Sequence, residues 1–303
     1  MNAPPLHRRA VLGTALAALA GGGAAKADAS PPFVLVHGAW HGAWCWQRLT
    51  PLLAARGHWS YAPTLSGCGE RTAEIGPHIT LDTHIDEIVQ LLYAHDLRDV
   101  VLVGHSYAGA VISGVADRVP QLLRRLVYLD AVIPENGVSL SGANLYELDE
   151  RAASTAQRKA GILPVPGSTF GIADRALLAW VQRNLRPHPL NTFDQPLFLT
   201  NPVGNGVPGD YIACTRPAMM PHGTYRGVVR ANPDWRWFDL PTSHDAMVTA
   251  PQELATLLTK AAAAPAARRE VAPLDPPAPA RGPSEIAPRG AADKGKGRPS
   301  GRP

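Results

Sequence analysis

A chain of 303 residues that is 45% hydrophobic and 18% charged has the composition of a globular protein, which excludes the fibrous and wholly disordered classes. Its formal charge of +4 is uneven: residues 1–27 carry +3 and residues 266–303 carry +4, leaving −3 on residues 28–265. Basic charge confined to the ends argues against nucleic-acid binding by the body, and past the N-terminus no apolar run approaches the roughly 20 residues of a spanning helix.

The chain opens with Arg8-Arg9, a moderately apolar stretch from Ala10 to Ala25, and the small-x-small sequence Ala25-Lys26-Ala27. This pattern predicts a twin-arginine-type signal peptide over residues 1–29 and export to the periplasm or beyond, with no stable membrane insertion after cleavage. The mature chain is expected to begin near Asp28 or Ser30. A folded domain is expected over residues 30–265. Near-continuous apolar runs at Phe33–Val36, Val100–Val103, Leu126–Leu129 and Tyr211–Cys214 read as strands covered on both faces, with weaker strands at His58–Ala62 and Trp235–Leu240. Amphipathic segments at Trp46–Arg56, Leu81–His95 (capped by Thr80), Ala108–Val119 and Pro251–Ala264 alternate with them. The alternation predicts an α/β fold of about six mostly parallel strands flanked by helices. Residues 134–208 break the rhythm with eight prolines and one clear helix, Asp174–Leu185, and read as a helical lid insertion. Residues 266–303, also with eight prolines, read as a disordered Pro/Ala/Gly-rich basic tail. Of the three cysteines, only Cys45 and Cys68 form a pair worth weighing as a disulfide, and the spacings match no metal site.

Three segments carry chemistry. Gly104-His105-Ser106-Tyr107-Ala108-Gly109 joins a strand to a helix, the setting in which a G-x-S-x-G-like turn exposes a nucleophilic serine. Ala108 takes the fifth position, with a glycine one residue later. His37-Gly38-Ala39-Trp40-His41-Gly42-Ala43-Trp44 follows the first strand and supplies an oxyanion loop; the amides of Ala39 and Tyr107 are assigned to the oxyanion hole. Thr242-Ser243-His244-Asp245 follows the last strand, and its position selects His244 as general base among eleven histidines.

On these motifs, together with Tyr211-Ile-Ala-Cys-Thr215 and Met247, the chain from Phe33 to about Ala263 resembles the α/β-hydrolases of the plant methylesterase and hydroxynitrile lyase family and related bacterial carboxylesterases. The resemblance implies the α/β-hydrolase fold and a serine hydrolase needing no cofactor and no metal. It also exposes two departures. Pro217 stands where the family's catalytic aspartate lies, and Asp130, at the end of the strand after the nucleophile helix, becomes the candidate acid, as in haloalkane dehalogenases; Asp210, Asp239 and Asp245 are poorer candidates. Gly38 and Asp245 replace the threonine and lysine with which the lyases handle cyanide, leaving ester hydrolysis.

The expected activity is therefore that of a serine carboxylesterase cleaving a small apolar or aromatic ester through Ser106, His244 and Asp130. A lactonase, a lyase-like enzyme and a non-catalytic small-molecule binder are the alternatives. Trp40, Trp44, Tyr146 and Trp180 are candidate pocket residues. A small-molecule ester is the expected partner, nucleic acid is not, and the oligomeric state is left open.

Overall fold

The computed structural model describes residues 30–143 and 161–266. Six parallel strands form one sheet: β1 (Phe33–Val36), β2 (Ser60–Tyr61), β3 (Val100–His105), β4 (Leu123–Leu129), β5 (Gly209–Cys214) and β6 (Trp235–Leu240). Their order is β2-β1-β3-β4-β5-β6. Every residue of β1, β3 and β5 is buried, which is why β1, Val100–Val103 of β3 and Tyr211–Cys214 of β5 are continuously apolar rather than alternating.

The helices in chain order are α1 (Thr50–Ala54), α2 (Leu81–Ala94), α3 (Ala108–Arg118), α4 (Arg175–Asn184), α5 (Asn191–Asp194), α6 (His222–Ala231), α7 (Ala246–Thr249) and α8 (Pro251–Ala263). The expected helix over Trp46–Arg56 is instead a 3-10 turn, Ala43–Trp46, followed by α1 with Pro51 in its first turn. Proline has no amide hydrogen to donate to a preceding turn, so the helix restarts at it rather than running through. α2 begins after Thr80, whose amide donates to Thr83 Oγ1 at 3.1 Å. α3 is buried from Ala108 to Ala116, and it lies so close to α2 that a Cβ on Gly114 would come within 2.3 Å of Ile85. Only small residues permit that approach.

Between β4 and β5 the described residues contribute α4, α5 and a 3-10 turn over Gly167–Phe170, and no strand of the sheet. Asp174 caps α4 by accepting from the Leu177 amide at 2.8 Å. This connection reaches the loops beyond the sheet: Phe170 O accepts from the His244 amide at 3.1 Å, and Ile162 O accepts from the Trp40 indole at 3.2 Å. No helix among the described residues is long and apolar enough to cross a membrane. The expected signal peptide and nearly all of the expected tail lie outside the described residues.

Candidate active site

Strand order fixes where a site can form. β1 leads outward to β2 at one edge, whereas its neighbour β3 leads toward β4 on the other side, so the loops leaving β1 and β3 diverge and open a crevice beyond the carboxyl ends of the strands. The His37–Trp44 loop and the Ser106 turn both enter that crevice. Ser106 has φ +55°, a left-handed conformation that a non-glycine residue adopts at a cost of ~1–3 kcal/mol and that concentrates at functional sites. Its amide donates to Leu129 O at 3.2 Å, and its carbonyl accepts from the Gly109 and Val132 amides, both at 3.1 Å. A Cβ on Gly104 would stand 2.7 Å from Ala108 O, and one on Gly109 only 2.0 Å from Val132 O. The fifth position of the motif therefore tolerates Ala108, and the glycine the turn cannot lose is Gly109. Replacing Gly109 with alanine should lower Tm by roughly 5 °C or more, as overpacking against backbone usually costs ~1–3 kcal/mol, and should reduce serine reactivity by shifting Val132 from Ser106. Wild-type melting and labelling in that variant would refute the tight contact.

His244 follows β6. Its carbonyl accepts from His105 Nε2 at 3.1 Å, the two imidazole centroids are 4.6 Å apart, and the Phe170 ring lies nearly parallel to it at 5.9 Å. His244 Nδ1 donates to Asp130 Oδ2 at 2.6 Å, which fixes the tautomer and leaves Nε2 as the acceptor; Nε2 is buried without a hydrogen-bond partner among the described residues. Asp130 lies one residue past β4, fully buried, with φ +42° and its amide on Ile212 O at 2.7 Å. Its second oxygen, Oδ1, accepts from His222 Nε2 at 2.6 Å and from the Cys214 amide at 3.0 Å. Burial works against the carboxylate, but the hydrogen bonds from His222, His244 and Cys214 and the nearby His244 charge outweigh it and hold the pKa at about 2. The motifs do not point to His222. The sole local signal is a histidine after Pro221, in the segment where Pro217 displaces the expected acid.

Residues 33–257 match the sequence profile of the alpha/beta hydrolase family. The chain belongs to that family. A carbendazim hydrolyzing esterase of Nocardioides sp. (strain SG-4G) is 37% identical over 237 residues, covering 75% of this chain and 97% of that protein. Methylesterase 8 of Arabidopsis thaliana is 38% identical over 104 residues, 34% of this chain and 38% of that protein. An extracellular alpha/beta-hydrolase from a Paenibacillus species superimposes with a TM-score of 0.64 at 26% identity, covering 76% of this chain and 98% of that one. With esterases and methylesterases as its relatives, the chain is a carboxylesterase-type hydrolase.

Within this hydrolase the first loop packs directly on the Ser106 turn, since a Cβ on Gly38 would lie 3.0 Å from Ser106 Cβ and 2.8 Å from His105 Nδ1. Ala39 O accepts from His41 Nδ1 at 2.7 Å, and His41 Nε2 reaches Asp245 Oδ2 at 3.3 Å. Burial disfavours the His41 cation, yet Asp245 more than offsets this and raises its pKa, while His41 in turn lowers that of Asp245 against the same burial. The pair ties the Ala39 loop to the residue after His244. The Tyr107 hydroxyl bonds to His84 Nδ1 at 2.9 Å, and His84 Nε2 bonds to Ser66 O at 2.9 Å.

The other carboxylates are committed elsewhere. Asp210, near the start of β5, is buried between Arg125 (3.1 Å) and Arg236 (2.6 Å), and exposed Asp239 pairs with Arg226 at 3.0 Å. Trp40 is buried, with its indole on Ile162 and its ring beside Phe170 and Phe193. Trp44 stacks on His41 and meets Trp180 edge-on at 5.1 Å. Tyr146 lies outside the described residues. Cys45, Cys68 and Cys214 are all free and buried, so Cys45 and Cys68 are not joined; Cys68 Sγ instead lies 3.4 Å from His188 Nδ1. Among the described residues one donor set has metal-ligand chemistry, His105, His244 and Asp245, with atoms within 4.8 Å of one another. Within it His105 Nε2 is bonded to the His244 carbonyl and His244 Nδ1 to Asp130, which leaves His105 Nδ1, His244 Nε2 and Asp245 Oδ1 buried without hydrogen-bond partners among the described residues.

Proposed function

We propose that this protein is an exported serine carboxylesterase that cleaves a small ester with an apolar or aromatic group through a Ser106–His244–Asp130 triad. The observation that carries the reading is the imidazole of His244, held by buried Asp130 at 2.6 Å with its other nitrogen buried and unpartnered, packed on His105, the residue before a serine in a strained strand-to-helix turn. In this mechanism His244 Nε2 takes the proton of Ser106 as Oγ attacks the ester carbonyl, and the Ala39 and Tyr107 amides receive the oxyanion. A preorganised donor of that kind is worth ~2.7–4 kcal/mol. His244 then protonates the departing alkoxide, and water, activated by the same nitrogen, releases the acid from Ser106. The aromatic side chains Trp40, Trp44, Trp180 and Phe170 around the crevice favour an apolar or aromatic group, and relatives named methylesterases favour a small alcohol.

A fluorophosphonate probe should label the protein at Ser106 and leave Ser106→Ala unlabelled, and a panel of methyl, aryl and p-nitrophenyl esters, with carbendazim and simple lactones included, should reveal turnover. Labelling with lactone but not open-chain turnover would move the assignment to a lactonase. Neither labelling nor turnover would leave a small-molecule binder.

Export is part of the same proposal, carried by Arg8-Arg9 and the Ala25-Lys26-Ala27 site. Terminal sequencing of secreted protein should begin near Asp28 or Ser30. Secreted material retaining Met1 would overturn it.

A further inference from the structure

Asp130 serves two imidazoles. His244 occupies Oδ2 and His222 occupies Oδ1, each at 2.6 Å, and the Cys214 amide completes the second oxygen at 3.0 Å. Both rings face an ionised acceptor, so both donate: His244 through Nδ1, His222 through Nε2. The Asp130 side chain is fully buried, whereas that of His222 is 15% exposed, so His222 exchanges protons with solvent while bonded to a carboxylate that does not. His222 opens α6, the helix that follows the strand tip where Pro217 takes the place of the family's aspartate. Its ring stands edge-on to Tyr211 and Trp237, with centroids 6.2 and 5.9 Å away at 78° and 81°, a slot that fixes the imidazole plane.

We propose that His222 is a positioning residue that shares Asp130 with His244 and so sets the pH at which the triad histidine becomes a working base. The proposal rests on the triad reading above. A carboxylate that accepts a strong second hydrogen bond has less negative charge to offer the first donor, and a protonated His222 would place a like charge across Asp130 from His244. Both effects favour neutral His244, the form that accepts the serine proton. The other charged or titratable groups around the slot leave this coupling intact. Arg226, one turn along α6, lies 4.5 Å over the Trp237 ring and pairs with Asp239; the Tyr211 hydroxyl donates to Ala131 O; Tyr225 packs on the Tyr211 ring at 5.8 Å.

The test is the pH profile of kcat/KM for p-nitrophenyl acetate in His222→Leu and His222→Gln. Loss of the donor in the leucine variant should move the acidic limb upward by about half a pH unit or more and reduce kcat roughly 10–100-fold, the usual range for a residue orienting a reactive group. The glutamine variant keeps an N–H for Oδ1 and should recover most of kcat, with its limb closer to wild type. A leucine variant whose limb does not move, whether or not its Tm falls, would reduce His222 to a structural role and overturn the proposal. Wild-type protein that resists fluorophosphonate would instead refute the triad reading.

Discussion

Asp130→Asn should reduce ester turnover by about four orders of magnitude, and should lower Tm by several degrees without unfolding the domain, because the buried carboxylate also stabilises the fold. The asparagine keeps the size of the side chain, but it offers an amide where His244 Nδ1 needs an acceptor, and it removes the charge that stabilises the imidazolium formed as Ser106 attacks. The equivalent Asp→Asn change in a serine protease costs ~10⁴ in kcat. The same substitution at the other acids separates roles by their readouts. Asp239→Asn, on an exposed carboxylate paired with Arg226, should change neither activity nor stability appreciably. Asp210→Asn should act on Tm rather than on kcat, because it strands buried Arg125, and breaking a buried ion pair costs ~3–5 kcal/mol. Asp245→Asn should cost far less turnover than Asp130→Asn, because Asp245 binds His41 and not the nitrogen that faces Asp130. Retention of more than about a tenth of wild-type kcat by Asp130→Asn, within the spread of supporting-residue effects, would reject it as the triad acid.

Mild acid should destabilise the domain well before its carboxylates are protonated. Burial holds His37 and His84 neutral, with pKa values lowered to about 3 and about 4, and it pushes His105 and His188 well below the ordinary histidine range. For a group whose folded pKa lies below its unfolded value near 6.5, the unfolded chain binds more protons throughout that interval, so stability is complete above pH ~6.5 and declines as pH falls toward the folded pKa. Each such histidine contributes up to ~1.4 kcal/mol per pH unit, so His37 and His84 alone remove roughly 4 kcal/mol between pH 7.5 and 5. Asp130, with its pKa lowered to about 2, loses its contribution only below pH ~4. His41, raised by Asp245, gives stability that is present at acid pH and lost as pH rises through its folded pKa. A melting series should thus show Tm falling by roughly 10 °C from pH 7.5 to pH 5. His37→Gln should flatten that slope. A Tm that holds or rises over the interval would mean these imidazoles are charged in the folded state.

The parallel sheet was legible because strands covered on both faces leave continuous apolar runs, and β1, Val100–Val103 of β3 and Tyr211–Cys214 of β5 carry them. The place of Asp130 at the sheet edge was legible as well, from its position directly after the Leu126–Leu129 run: β3 and β4 run in register with His105 beside Leu129, and the next residue emerges at the same strand edge as Ser106. α6 was not. Its sequence, His222-Gly-Thr-Tyr-Arg-Gly-Val-Val-Arg-Ala231, buries only Tyr225 and Val229 and includes two glycines, so its apolar period is too sparse to read. The role of His222 is more distant still from any local signal: its partner lies 92 residues away, and the contact exists only because β4 and β5 are neighbours. Phe170, which holds the His244 amide and covers its ring, sits in a proline-rich stretch where hydrophobic periodicity carries no information.

The position of Asp130 has an evolutionary consequence. An acid at the tip of β5 would be separated from the nucleophile by the whole 134–208 segment, and any change in the length of that segment would have to preserve the path leading to the acid. Asp130 comes before the segment begins, joined to Ser106 through the Leu129 and Val132 backbone. A change in the length of the segment therefore leaves the Asp130–Ser106 spacing alone, whereas the bonds from Asp130 to Cys214, His222 and His244, all of which follow the segment, still depend on it. A graft of the corresponding stretch from a relative would have to keep the Phe170 carbonyl that holds the His244 amide, the Ile162 carbonyl that holds the Trp40 indole, and the Gln195 and Asn201 bonds to Asp82 and Asp117.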